Sequence, residues 1–181
     1  MSDSNTTVET ATPNKPPITY EVPDAEGKPI TKSVLDVIGE KDLWKVANNV
    51  TIISLLGIQK IANHENIVEK NFQTEVLPTK GNKQQHVVNI WVGFKGDSDP
   101  DNFTRGSGEA SILNTGKIII DSQGKRVYDE FSRIDSKYRY SMADKRAYCR
   151  AVSKLIKLFG VYSEVEAEEF SSKNAIKDND Y

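Results

Sequence analysis

One cysteine and two histidines in 181 residues leave little material for disulfide or zinc chemistry. Cys149 has no partner for an intramolecular disulfide, and with His64 and His86 it makes no zinc-ligand spacing. No apolar run approaches the roughly 20 residues of a membrane-spanning helix. The opening MSDSNTTVETATPNK has neither the basic start nor the apolar centre of a signal peptide. A GxxxxGK loop ending in Ser or Thr, which would cradle nucleotide phosphates, is also missing: the glycines of GFKGDSDPDNFTRGSG lack that ending. These absences predict a soluble protein of a reducing compartment, with no metal and no cofactor, whose Cys149 packs in a core.

Strong net charge is lacking too, at a formal -2, but the average conceals an asymmetry. Residues 1–31 carry net -3 and residues 162–181 net -4, whereas residues 32–161 hold 20 Lys and Arg against 15 Asp and Glu. Local fields rather than net charge decide whether a polyanion binds. The chain divides accordingly: a disordered acidic arm over 1–31, holding Pro13, Pro16, Pro17, Pro23 and Pro29; one domain over 32–161; and an acidic, mostly flexible tail over 162–181.

Within the domain, DLWKVANNVTIISLLG carries apolar residues at helical spacing, with Asp42 as cap, Gly57 as stop, and Trp44, Val46, Val50, Ile53 and Leu56 assigned to the core. VEKNFQTEVLP, HVVNIWVGF and FTRGSGEASIL, separated by the turns TKGNK and GDSDPDN, predict a three-stranded antiparallel meander over 67–113. The glycines of RGSG suit a strand that needs close backbone approach. KIII, the DSQG turn and KRVYDEF read as a further hairpin or an insertion.

From Ser141 to Gly160 the sequence reads as one amphipathic helix, with Ser141 and Asp144 at its start and Gly160 at its stop. At about 100° per residue, Arg146, Arg150, Lys154 and Lys157 share an arc of roughly 80°, with Lys145 beside it and an apolar stripe opposite. Before it, Lys125, Arg126, Arg133, Lys137 and Arg139 interleave with Tyr128, Tyr138 and Tyr140. Cations beside aromatics suit a single nucleic-acid strand, whose phosphates take charge and whose bases stack. The expected class is α+β, an antiparallel β-meander of three to four strands packed against a long C-terminal helix, with an N-terminal helix.

This order of elements, with RGSGEAS (Arg105 to Ser111) and MADKRAYCRAVSKLIKLFG (Met142 to Gly160), resembles the Rad-fifty-two-like superfamily of single-strand annealing proteins, phage and bacterial types included. The resemblance implies homo-oligomeric rings or helical filaments and single-stranded DNA in a positive groove. It also implies ATP-independent annealing in recombination, repair or phage DNA replication, in the cytoplasm of a bacterial or phage-infected cell. The family's DNA-contacting cations fall on Lys154 and Lys157, with Arg150 and Arg146 on the same face. A third basic position falls on Ser153, a departure from the pattern. Arg105, Lys125 and Arg126 match further basic positions of its hairpin and linker.

The expected protein is therefore not an enzyme. Arg133, Lys137 and Arg139 are further DNA-binding candidates, and Tyr128, Tyr138 and Tyr140 are candidates for base stacking. Alternatives are a strand-protecting protein without annealing activity, a metal-dependent nuclease built on Glu109, Asp121, Asp129 and Glu130, and an adaptor whose basic helix meets an acidic partner. Glu164, Glu166, Glu168 and Glu169 offer the acidic tail as a competitor for the basic face or a recruiter of replication or recombination proteins.

Overall fold

A computed structural model of the chain describes residues 17–45, 50–79, 83–111, 118–128, 133–158 and 160–165. The first described element is a hairpin in which β1 (Thr19–Pro23) pairs antiparallel with β2 (Pro29–Ser33). In its turn the Asp24 carboxylate accepts from the N–H groups of Glu26 and Lys28, and Gly27 takes a φ of +81°. Residues 1–16 lie outside the described residues, but the expected disordered arm does not reach residue 31. Tyr20 and Val22, two residues apart on one face of β1, are buried and anchor the hairpin. The two prolines occupy strand ends, where a missing N–H costs least.

Next, β3 (Leu43–Lys45) pairs antiparallel with β4 (Thr51–Ile53), and α1 (Leu55–His64) follows. The N-terminal helix thus begins about a dozen residues later than its sequence pattern suggests. Thr51, Ile52 and Ile53 are β-branched and all buried, and pairing on both sides makes them a central strand. Ser54 caps α1 by accepting from Gly57 N–H at 2.8 Å, so Gly57 lies in the first turn and does not stop the helix. Asp42, the expected cap, is buried and accepts instead from Lys60 Nζ at 2.7 Å. Of the assigned core positions, Ile53 is buried and Val50 partly so, Trp44 and Leu56 are exposed, and Val46 lies outside the described residues. Trp44 lines a hollow of about 600 Å³ with Ile18, Leu35 and Leu43.

The meander is β5 (Ile67–Thr79), β6 (Lys83–Phe94) and β7 (Thr104–Ala110), antiparallel in that order, as expected. A short hairpin of β8 (Ile118–Ile120) and β9 (Arg126–Tyr128) follows, closed by DSQG. Its Asp121 accepts from the N–H groups of Gln123 and Lys125, and Gly124 has φ +77°, repeating the DAEG turn of the first hairpin. Then come α2 (Arg133–Leu155) and β10 (Val161–Ser163), which pairs parallel with β4.

The fold is α+β, with the meander packed against α2 and with α1 preceding it. Val88, Ile90 and Val92 of β6 are fully buried, as are Ala143, Ala147, Ala151 and Val152 of α2 and Ile58 and Ile61 of α1. Cys149 is buried among them. Among the described residues no helix is long and apolar enough to cross a membrane.

Candidate nucleic-acid interface

Gly106 and Gly108 point at α2, where small residues recur every fourth position at Ala143, Ala147 and Ala151. A Cβ on Gly106 would overlap the Ala147 carbonyl oxygen and the Ala151 amide, and one on Gly108 the Ala143 carbonyl oxygen. The RGSG segment is thus a strand in close backbone approach, as its spacing predicts. Seating a helix so near the strand also sets where the helix's long side chains emerge.

Among the described residues β7 has a sheet neighbour on one side only. Along it, the carbonyl of Ser107 accepts from Arg150 Nη1 at 2.8 Å, and that of Glu109 from Arg146 Nη1 at 2.7 Å. Arg146 Nε also donates to the Val165 carbonyl at 3.2 Å. Two arginines one helical turn apart therefore satisfy main-chain oxygens that a strand edge leaves without a ladder partner. Arg146 is fully buried, which corrects its expected place on an exposed cationic strip. Its guanidinium has become a structural clamp.

Arg105, on the face of β7 away from α2, donates from Nε and Nη2 to Asn89 Oδ1 at 3.1 and 2.8 Å. Its guanidinium lies 5.5 Å from the ring centre of Trp91, its cross-strand neighbour. Arg105, Ser107, Arg150 and Lys154, with Gly106, line a cleft of about 420 Å³. Lys154 is exposed, one turn beyond Arg150, and its side chain has no hydrogen bond or ion pair among the described residues. Three cations meet there, with no carboxylate among the described residues of the lining. Across the open sheet face, Asn71, Trp91 and Arg105 form one row and Gln73, Asn89 and Ser107 the next.

Lys157 does not continue this track. α2 ends at Leu155, and Lys157 takes φ +48°. Its N–H donates to the Lys154 carbonyl while that of Leu158 donates to Ser153, the paired bonds of a Schellman close. Its Nζ is turned to Glu21 Oε2, at 2.6 Å. The expected arc fails because the helix stops before Lys157 can share it.

The helix is also longer at its start than expected, absorbing residues placed in the linker, so Ser141 lies inside it. Arg139, expected to face DNA, is 8% exposed. Tyr138 and Tyr140 are exposed, and Tyr140 stands edge-on to Phe72 and His86 at 6.5 and 6.4 Å. Burial, with Asp144 and Glu69 nearby, raises the Tyr140 hydroxyl above its ordinary pKa. Lys125 and Arg126 are exposed on the β8–β9 hairpin and do not line the cleft. The side chains of Tyr128, Arg133 and Lys137 lie outside the described residues.

Glu109, a candidate nuclease carboxylate, accepts from Gln85 Nε2 at 2.6 Å; Asp121 is spent on its turn, and Asp129 and Glu130 lie outside the described residues. Among the described residues, no three His, Cys, Asp or Glu side chains gather as a metal site requires. Trp91 and Asn89 went unrecognised in the sequence. Their signal was alternation within HVVNIWVGF, where the odd positions hold the residues of the open face. No family model, no curated protein and no solved structure matches this chain.

Proposed function

We propose that this chain binds single-stranded DNA along the edge of β7 and anneals complementary strands without ATP or covalent chemistry. The cleft lined by Arg105, Arg150 and Lys154, with no carboxylate among the described residues of its lining, carries this reading. Phosphates displace their counterions on such cations, and partial neutralisation of both strands lowers the repulsion that opposes pairing. Asn89 and Trp91 hold the Arg105 guanidinium in place before a ligand arrives, so little side-chain entropy remains to be lost.

The element order shared with the single-strand annealing superfamily supports the same reading. By that resemblance the working form is a homo-oligomeric ring or filament serving recombination, repair or phage replication in the cytoplasm. Arg105, Arg150 and Lys154 are its DNA contacts in this proposal, and Lys157 and Arg146 are not.

The test is oligonucleotide binding over a salt series by wild type and R105A/K154A. Each lost phosphate contact flattens the slope of log affinity against log salt by about 0.7 on a single strand, so the double variant should flatten it by about 1.4. Annealing of complementary strands should slow in parallel. Unchanged affinity and slope would sink the assignment, and tight binding without faster pairing would leave a strand-protecting protein.

A further inference from the structure

Two large apolar side chains that remain exposed, Leu35 at 53% and Trp44 at 39%, stand in a concavity: with Ile18 and Leu43 they line the hollow of about 600 Å³. A lone exposed apolar residue needs no explanation, but several gathered round a space of this size form a surface suited to a ligand. Segments distant in sequence build its walls: β1, β2, the helical turn Val34–Asp36, β3, β4 and the chain just past α2. Backbone bonds join several of them. The Glu21 N–H donates to the Ile156 carbonyl at 2.7 Å and the Val34 N–H to that of Ile18 at 3.0 Å. The fold therefore sets the shape of the hollow before anything enters it.

The polar members of the lining favour one sign of charge. Glu21 is the one carboxylate among the described residues of the lining, and it is held by Lys157 Nζ at 2.6 Å. Lys45 is exposed, and its side chain has no hydrogen bond or ion pair among the described residues. It stands beside the hydroxyl-bearing Thr51, its cross-strand partner. An apolar and aromatic wall thus adjoins one cation that no carboxylate answers.

We infer that the hollow binds a small aromatic anion, a flat ring system bearing a carboxylate or phosphate, with its rings against Trp44 and Leu35 and its charge on Lys45. Apolar and aromatic walls with few polar groups are the usual make-up of a site of this volume. Trp44 offers a broad face for offset stacking, and a charge-assisted bond to Lys45 fixes the ligand's orientation. The hollow shares no lining residue with the β7 cleft, so the inference holds whether or not that cleft takes DNA.

Equilibrium dialysis of the full chain against naphthoate and its uncharged counterpart naphthylmethanol tests this. Naphthoate should bind saturably, one per chain, and about tenfold more tightly than the alcohol, the gain expected from a charge-assisted bond. K45Q should bring naphthoate down to the affinity of the alcohol, W44A and L35N should weaken both probes, and R105A/K154A should bind as wild type does. Should W44A fail to fold, L35N still decides, because Leu35 is exposed and outside the core. Absence of saturable binding, equal affinity for the two probes, or naphthoate affinity unchanged in K45Q or in L35N would overturn the assignment. Loss of naphthoate binding in R105A/K154A with K45Q unaffected would place the anion in the β7 cleft and equally overturn it.

Discussion

Lys157 shows how one backbone angle reassigns a residue. By helical periodicity it continues the line of Arg150 and Lys154, but at φ +48° it occupies the left-handed position that closes α2, where glycine is favoured. K157G should therefore hold or raise stability by up to about 1 kcal/mol, because its exposed pair with Glu21 contributes little. A urea midpoint measures this, and oligonucleotide affinity should stay near wild type. Gly106 makes the opposite case. G106A pushes a methyl group into the backbone of α2 and should cost about 2–3 kcal/mol or prevent folding, seen as a lowered thermal midpoint. The RGSG spacing was legible in the sequence because only glycine serves both the strand and the close approach. The role of Lys157 was not, since nothing local in LIKLFG says which residue turns left-handed.

At the level of elements, the meander was plain in its alternation and its turns, whereas the segment from Asp42 to Gly57 was misleading. Apolar residues there fit a helical period, yet β4 pairs with β3 and with the distant β10, and those pairings outweigh local spacing. Both ends of α2 also shifted. Arg146 belongs to this scale too, because it ties three elements together: α2, the edge of β7 and the chain after β10. R146M would leave the buried Val165 carbonyl and the part-buried Glu109 carbonyl without this donor, and we expect a loss of about 2–4 kcal/mol in urea unfolding. R150M, which unties the exposed Ser107 carbonyl, should cost less than half of that.

For the molecule as a whole, stability should depend on two carboxylates that join distant segments. Glu65 links the first hairpin to the end of α1. Burial alone would raise its pKa, but bonds from Lys32, from the Tyr20 hydroxyl and from His64 outweigh that and hold it below the usual range. Lys60 does the same for Asp42, helped by the Gly39 amide and the Ser54 hydroxyl. Both groups ionise more readily folded than unfolded, so their contribution is complete above about pH 4.5 and is lost as the pH falls below it. Asp144, raised by burial against the pull of Lys145, works in the opposite sense. Urea midpoints between pH 3 and 7 should fall on the acid side, and D42N/E65Q should show a shallower fall from a lower plateau.

Alternation and turn chemistry in the sequence determined the meander. Glycine spacing in RGSG marked a strand that needs close backbone approach, and charge distribution determined that the basic residues sit in the body of the chain. These are local properties, carried by side-chain period and backbone freedom. Only the tertiary structure decided which cations face solvent. It buried Arg146 against a strand edge, turned Lys157 toward Glu21, and brought Arg105 beside Arg150 and Lys154. The physical reason is that a cation's partners come from elements far away in sequence, so its burial and pairing depend on contacts that no local pattern encodes.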